Sequence, residues 1–153
     1  MRSVLASRNQ ELYTFTARDV SDIADRVGAP DIEALSSSDG TYQFWLTPSL
    51  RGGCRLNAPA TKMLFSLSRF SAAQTPLLRG DVVITSRTAA GDPDGLSDDQ
   101  EGLLIKALQT IGRRAEWRIN RRLRQAARDD QRARDRAVDP HAGRMYFHAP
   151  ARE

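Results

Sequence analysis

The chain is poor in the residues that usually announce a chemistry. One cysteine, Cys54, stands among 153 residues, so no disulfide can close within the chain and a reducing compartment is expected. The two histidines, His141 and His148, sit close to the C-terminal end. With a single cysteine they are poor material for a zinc site, which needs several nitrogen and sulfur ligands at short range. No stretch approaches the roughly 20 apolar residues of a membrane span, and the N-terminus lacks the apolar run of a secretory signal. A cytoplasmic protein with no membrane partner is the expectation. Lysine is scarce too: only Lys62 and Lys106 among 23 basic residues, an arginine bias that suits a GC-rich genome.

Catalytic signatures are equally thin. Cys54 follows Gly52-Gly53 beside Arg51 and Arg55, but no histidine lies near it in sequence to act as its base. The RGG of residues 51–53 has no Walker lysine and is not a phosphate loop. GDPDG, residues 91–95, lacks the spacing and terminal glutamate of a calcium loop and reads as a turn. SSS, residues 36–38, reads as a strand end entering a turn. These features point away from an enzyme and require no cofactor or metal.

What the sequence does contain is a separation of charge. Residues 1–112 hold 11 basic against 13 acidic side chains, while residues 113–136 hold ten arginines against four acids, a local balance of +6. Such asymmetry points to an anionic partner for one segment.

Periodicity supplies the elements. ELYTFTA (11–17) alternates in the manner of a strand. In the segment that follows, Val20, Ile23, Ala24 and Val27 share one helical face before Gly28 and Pro30 stop it. DIEALSS (31–37) and TYQFWLT (41–47) flank SDG, which has hairpin-turn chemistry. Asn57 caps a helix running to about residue 70, with Pro59 tolerated in its first turn and Ala60, Met63, Leu64 and Leu67 on its buried face. GDVVITS (80–86) is an apolar strand. Ser97 and Gln100 form a capping box, and Asp98, Asp99 and Glu101 suit the helix dipole there. The long helix they start is expected to run beyond Arg128, to bend near Gly112, and to end at Asp139-Pro140.

The order β-α-β-β-α-β-α predicts an α+β fold whose first six elements follow the split β-α-β, ferredoxin-like topology. Right-handed crossovers then place both early helices on one face of a four-stranded sheet. The expected organisation is a small α+β domain over 1–95, a long C-terminal helix over 96–138, and an irregular tail over 139–153.

Several motifs recur in an order that resembles a small family of uncharacterised domains of phages and mobile elements, chiefly actinobacterial. They are VGAPDIEAL (27–35), DGTYQFWLT (39–47), RLNAPAT (55–61), LRGDVVIT (78–85) and GLSDDQ (95–100). The resemblance covers about residues 11–110. The turn in FWLTPSLRGG departs from it, lacking the acidic NEEG-like sequence of many members. The resemblance implies a mobile-element origin and a bacterial host cytoplasm, and supplies no activity. The basic helix lies outside it.

On a helical wheel, Leu104, Leu108, Ile111, Ala115, Ile119, Leu123 and Ala126 fall within a sector of about 120°. Arg113, Arg114, Arg118, Arg121, Arg124, Arg128 and Arg132 fall within a separate sector of about 140°. Arg122 is the exception on the apolar side. Trp117 lies among the arginines, where a tryptophan needed only for the core would not be. Three readings follow. The arginines form a solvated face, with Glu116 paired to Arg113, and Arg128 and Arg132 paired to Asp129, Asp130 or Asp135. Alternatively, the face neutralises DNA or RNA phosphates. In the third reading, favoured here, the helix meets an acidic patch on a host protein, or the apolar stripe pairs with a second copy of the chain. The function expected is that of a non-catalytic accessory protein that modulates a host macromolecule through Arg113, Arg114, Trp117, Arg118, Arg121, Arg124, Arg128 and Arg132. A small nucleotide-binding or enzymatic domain is the remaining alternative.

Overall fold

The computed structural model describes residues 1–48 and 54–138. The RGG motif, His141, His148 and the 139–153 tail, with the helix stop at Asp139-Pro140, lie outside the described residues. Strands β1 (Arg2–Ala6), β2 (Leu12–Thr16), β3 (Glu33–Ser36), β4 (Tyr42–Leu46), β5 (Val82–Arg87) and β6 (Pro93–Asp94) form one sheet. Helices α1 (Val20–Val27), α2 (Ala58–Leu67), α3 (Asp98–Gln109) and α4 (Arg113–Val138) surround it. The strand order is β2-β1-β5-β4-β3, every pairing is antiparallel, and β6 pairs with the end of β5.

This order differs from the ferredoxin-like arrangement expected from the sequence. A split β-α-β sheet puts its first strand in the interior. Here β2, the first strand expected, lies at one edge and pairs only with β1. β5, expected at an edge, instead lies between β4 and the extra strand β1, whose Val4, Leu5 and Ala6 stand opposite Ile84, Val83 and Val82; β1 pairs with β2 on its outer side.

The helices also divide between the faces, whereas one shared face was expected for α1 and α2. Side chains alternate along a strand. Val4, Ala6, Phe44, Leu46, Val82 and Ile84 point to one side and pack with Ala60, Met63 and Leu64 of α2 and Leu104 of α3. Leu5, Trp45 and Val83 point to the other, where Ile23 and Val27 of α1 cover them.

Local chemistry explains the starts of α1, α2 and α3 and the end of α1. Asp19 caps α1 by accepting from the Asp22 N–H, and Gly28 closes it in the left-handed conformation, φ 78°, donating back to the Ala24 carbonyl. Asn57 caps α2 at the Ala60 N–H, and the Ser97–Gln100 capping box starts α3. The continuous bent helix expected from residue 97 onward is instead two helices. The chain leaves helix after Gln109 and re-enters at Arg113. Leu104 and Leu108 join the main core, while Ile119 and Leu123 join a separate cluster with Ala72, Leu56, Phe65 and Leu77. The two apolar stripes share a helical phase, but they serve different surfaces.

Candidate functional site

α4 is about 39 Å long at 1.5 Å per residue, and its two faces have different fates. Ile119 is fully buried and Leu123 is 8% exposed, both set against the segment after α2. Arg122, the cation on the apolar side, finds a partner there: its guanidinium donates to the carbonyls of Ala72 and Thr75 at 2.9 and 2.8 Å. A positive charge in that place is satisfied by two backbone oxygens that no helix or strand uses.

The carboxylates of α4 are distributed unevenly. Glu116 turns inward to Lys62 of α2 at 2.9 Å, in place of the expected pair with Arg113. Asp130 receives Arg79 in a two-pronged contact at 2.6 and 3.1 Å, a geometry that suits a guanidinium on a carboxylate. Asp129 meets Arg132 at 3.6 Å and accepts from Gln125, and Asp135 accepts from Gln131. Sequence alone did not signal Lys62 and Arg79, because both lie far along the chain from the helix they anchor. Arg122 was detectable as the one residue out of phase.

The outward face is what remains. Arg113, Arg114, Trp117, Arg118, Arg121, Arg124, Arg128 and Arg132 are all exposed, so the structure brings every expected contact residue to one surface. Trp117 is 55% exposed; the Arg121 guanidinium lies over its ring, 5.5 Å from the centre, within cation–π range. Arg113, Arg114, Trp117 and Arg118 surround a shallow depression at the start of the helix. Among the described residues, Arg113, Arg114, Arg118, Arg124 and Arg128 have no carboxylate partner.

Among the described residues no group of three His, Cys, Asp or Glu side chains could hold a metal ion, and no helix is long and apolar enough to cross a membrane. Asp22 is held down at about 2 by the Arg18 side chain and its backbone N–H. Asp39 is lowered by the Ser37 hydroxyl and the Thr41 N–H, which lock the β3–β4 turn. Burial raises Tyr42, whose hydroxyl donates to the Gln100 carbonyl and ties β4 to α3. Family models, curated proteins and solved structures give no significant match to the chain.

Proposed function

We propose that the chain is a non-catalytic accessory protein that binds an anionic macromolecule of a bacterial host through the outward face of α4. The phage or mobile-element origin implied by the ordered motifs belongs to the same proposal. One observation carries it: Trp117 stands half-exposed amid seven exposed arginines, on a helix whose apolar face is already packed within the chain. A large aromatic ring left in solvent among cations is a contact residue by composition. A merely solvated face needs no tryptophan.

Both an acidic protein and a nucleic acid present such an anionic surface. The continuing apolar stripe had favoured a protein or a second copy of the chain. With Ile119 and Leu123 buried internally, neither partner retains that stripe as an anchor.

Affinity capture from a bacterial lysate, scored for protein and nucleic acid together, tests the proposal. Wild type should retain a macromolecule that an Arg114→Glu/Arg118→Glu/Arg121→Glu variant does not. Identical recovery by both would refute the role of α4.

A further inference from the structure

Building on the reading of α4 as the contact surface, we propose that its partner is double-stranded DNA, with the helix seated in the major groove against both phosphate walls.

Shape is the first reason. The arginines cover a sector of about 140° on a convex ridge, and from Arg113 to Arg132 they extend about 28 Å along the axis. A B-form major groove, roughly 12 Å wide, admits a single α-helix and offers phosphates on both sides of it. Charges on both flanks of the ridge then find partners at once. A flat acidic patch on a protein would meet only the arginines along the crest. The major groove of A-form RNA is too deep and narrow to take the helix. Single-strand binders use a groove that tracks the backbone, whereas this face is a ridge whose shallow depression lies at its start, beside Arg113 and Trp117.

Charge sorting is the second. Two of the four carboxylates of α4 are drawn to the inner side and matched by Lys62 and Arg79. Asp129 is engaged by Arg132 and Gln125. The outward sector from Arg113 to Arg128 therefore carries no carboxylate. The remainder of the chain up to residue 112 has a balance of −2, which orients the molecule helix-first in the field of a polyanion.

Composition is the third. A protein–protein interface has a core depleted in charge, whereas a DNA interface is strongly positive and more polar. The outward face of α4 has one apolar anchor and seven cations. Trp117 lies near the middle of the cationic sector, facing the groove floor in this pose, where its indole can lie on base edges and thymine methyl groups. Affinity then comes chiefly from phosphates, and sequence preference is modest.

The test is fluorescence anisotropy of the full chain with a labelled mixed-sequence DNA duplex. Single-stranded DNA, duplex RNA and poly-glutamate serve as probes of the same length. Duplex DNA should bind tightest, with affinity falling about a thousandfold between 50 and 200 mM salt as counterions are released. Arg118→Gln/Arg121→Gln/Arg128→Gln should weaken binding by about a hundredfold or more at 50 mM and flatten the salt slope by about two to three. Trp117→Ala should weaken binding several-fold with the slope unchanged. Arg8→Gln/Arg26→Gln, on the main body, should stay within about twofold of wild type. Poly-glutamate binding as tightly as the duplex would overturn the DNA assignment and leave α4 as the contact surface for an acidic protein. Tighter binding of single-stranded DNA or RNA would overturn it likewise. If neither DNA nor poly-glutamate binds, or if the Arg8/Arg26 variant loses as much as the helix variant, the α4 reading falls as well.

Discussion

Asn57 does more than begin a helix. Its side-chain oxygen accepts from the Ala60 N–H at 3.0 Å, and its Nδ2 donates to the carbonyls of Ala6 and Gly80, each at 2.8 Å. It is fully buried, so one amide joins α2, β1 and the approach to β5. Asn57→Ala should cost roughly 2–4 kcal/mol in chemical denaturation, combining a lost cap with two orphaned buried carbonyls. Asn57→Asp should be worse at neutral pH than at pH 3, because a carboxylate oxygen would face those same carbonyls. A variant as stable as wild type at both pH values would show that the three contacts do not act together. The cap was legible in the sequence; the two carbonyl contacts were not, since they depend on β1. Asp22 makes a pH prediction of known sign. Its folded pKa lies at about 2 against an ordinary 3.8, a depression, so its stabilising effect is complete above about 4 and is lost as pH falls through about 2. The stability gap between wild type and Asp22→Asn, followed by thermal melts, should close across that window. A gap that stays constant from pH 7 to pH 2 would rule out the Arg18 contact as its source.

At the scale of an element, α4 separates stability from contact. Ile119 is fully buried and Trp117 is more than half exposed, two residues apart on one helix. Ile119→Ala should cost roughly 2–5 kcal/mol as a core truncation, while Trp117→Ala should stay within about 0.5 kcal/mol. Urea melts of the two variants check this. Comparable losses would mean that the indole is part of the packing and not free for a partner. The wheel made this two-faced character legible, because phase alone assigns Ile119 and Leu123 to one side and Trp117 with the arginines to the other. The break at residues 110–112 was not legible. Leu108, Ala115 and Ile119 keep a continuous helical phase through it, and Gly112 was its only local trace. What ends α3 is tertiary: its stripe is consumed by the sheet-facing core, and the next helix packs on a different surface.

At the scale of the molecule, β1 decided how far the fold could be read. RSVLA has small residues at Ser3 and Ala6 and is covered on both faces as an inner strand, so it lacks the alternation that marked β2. Without it the β1–β2 hairpin reads as a lone first strand; β5 is a second departure, because it lies between β1 and β4 where a split β-α-β sheet puts its last strand at an edge. The same architecture predicts a hierarchy of motion. Val82, Val83 and Ile84 of β5 are fully buried, and Val83 and Ile84 are paired on both edges. Residues 113–130 of α4 attach through a smaller, separate apolar cluster and three polar ties, made by Lys62, Arg79 and Arg122. Residues 131–138 are exposed all round. Local opening follows buried contact, so amide exchange should be slowest in β5, intermediate over residues 113–130 and fastest over 131–138. Because the Lys62–Glu116 and Arg79–Asp130 pairs are only partly exposed, salt screens them weakly, so raising salt should speed exchange over 113–130 slightly while β5 stays unchanged. If residues 113–130 exchange as slowly as β5 at every salt concentration, α4 opens only with the whole fold, and the cationic face is a fixed part of the core structure and not a docked arm.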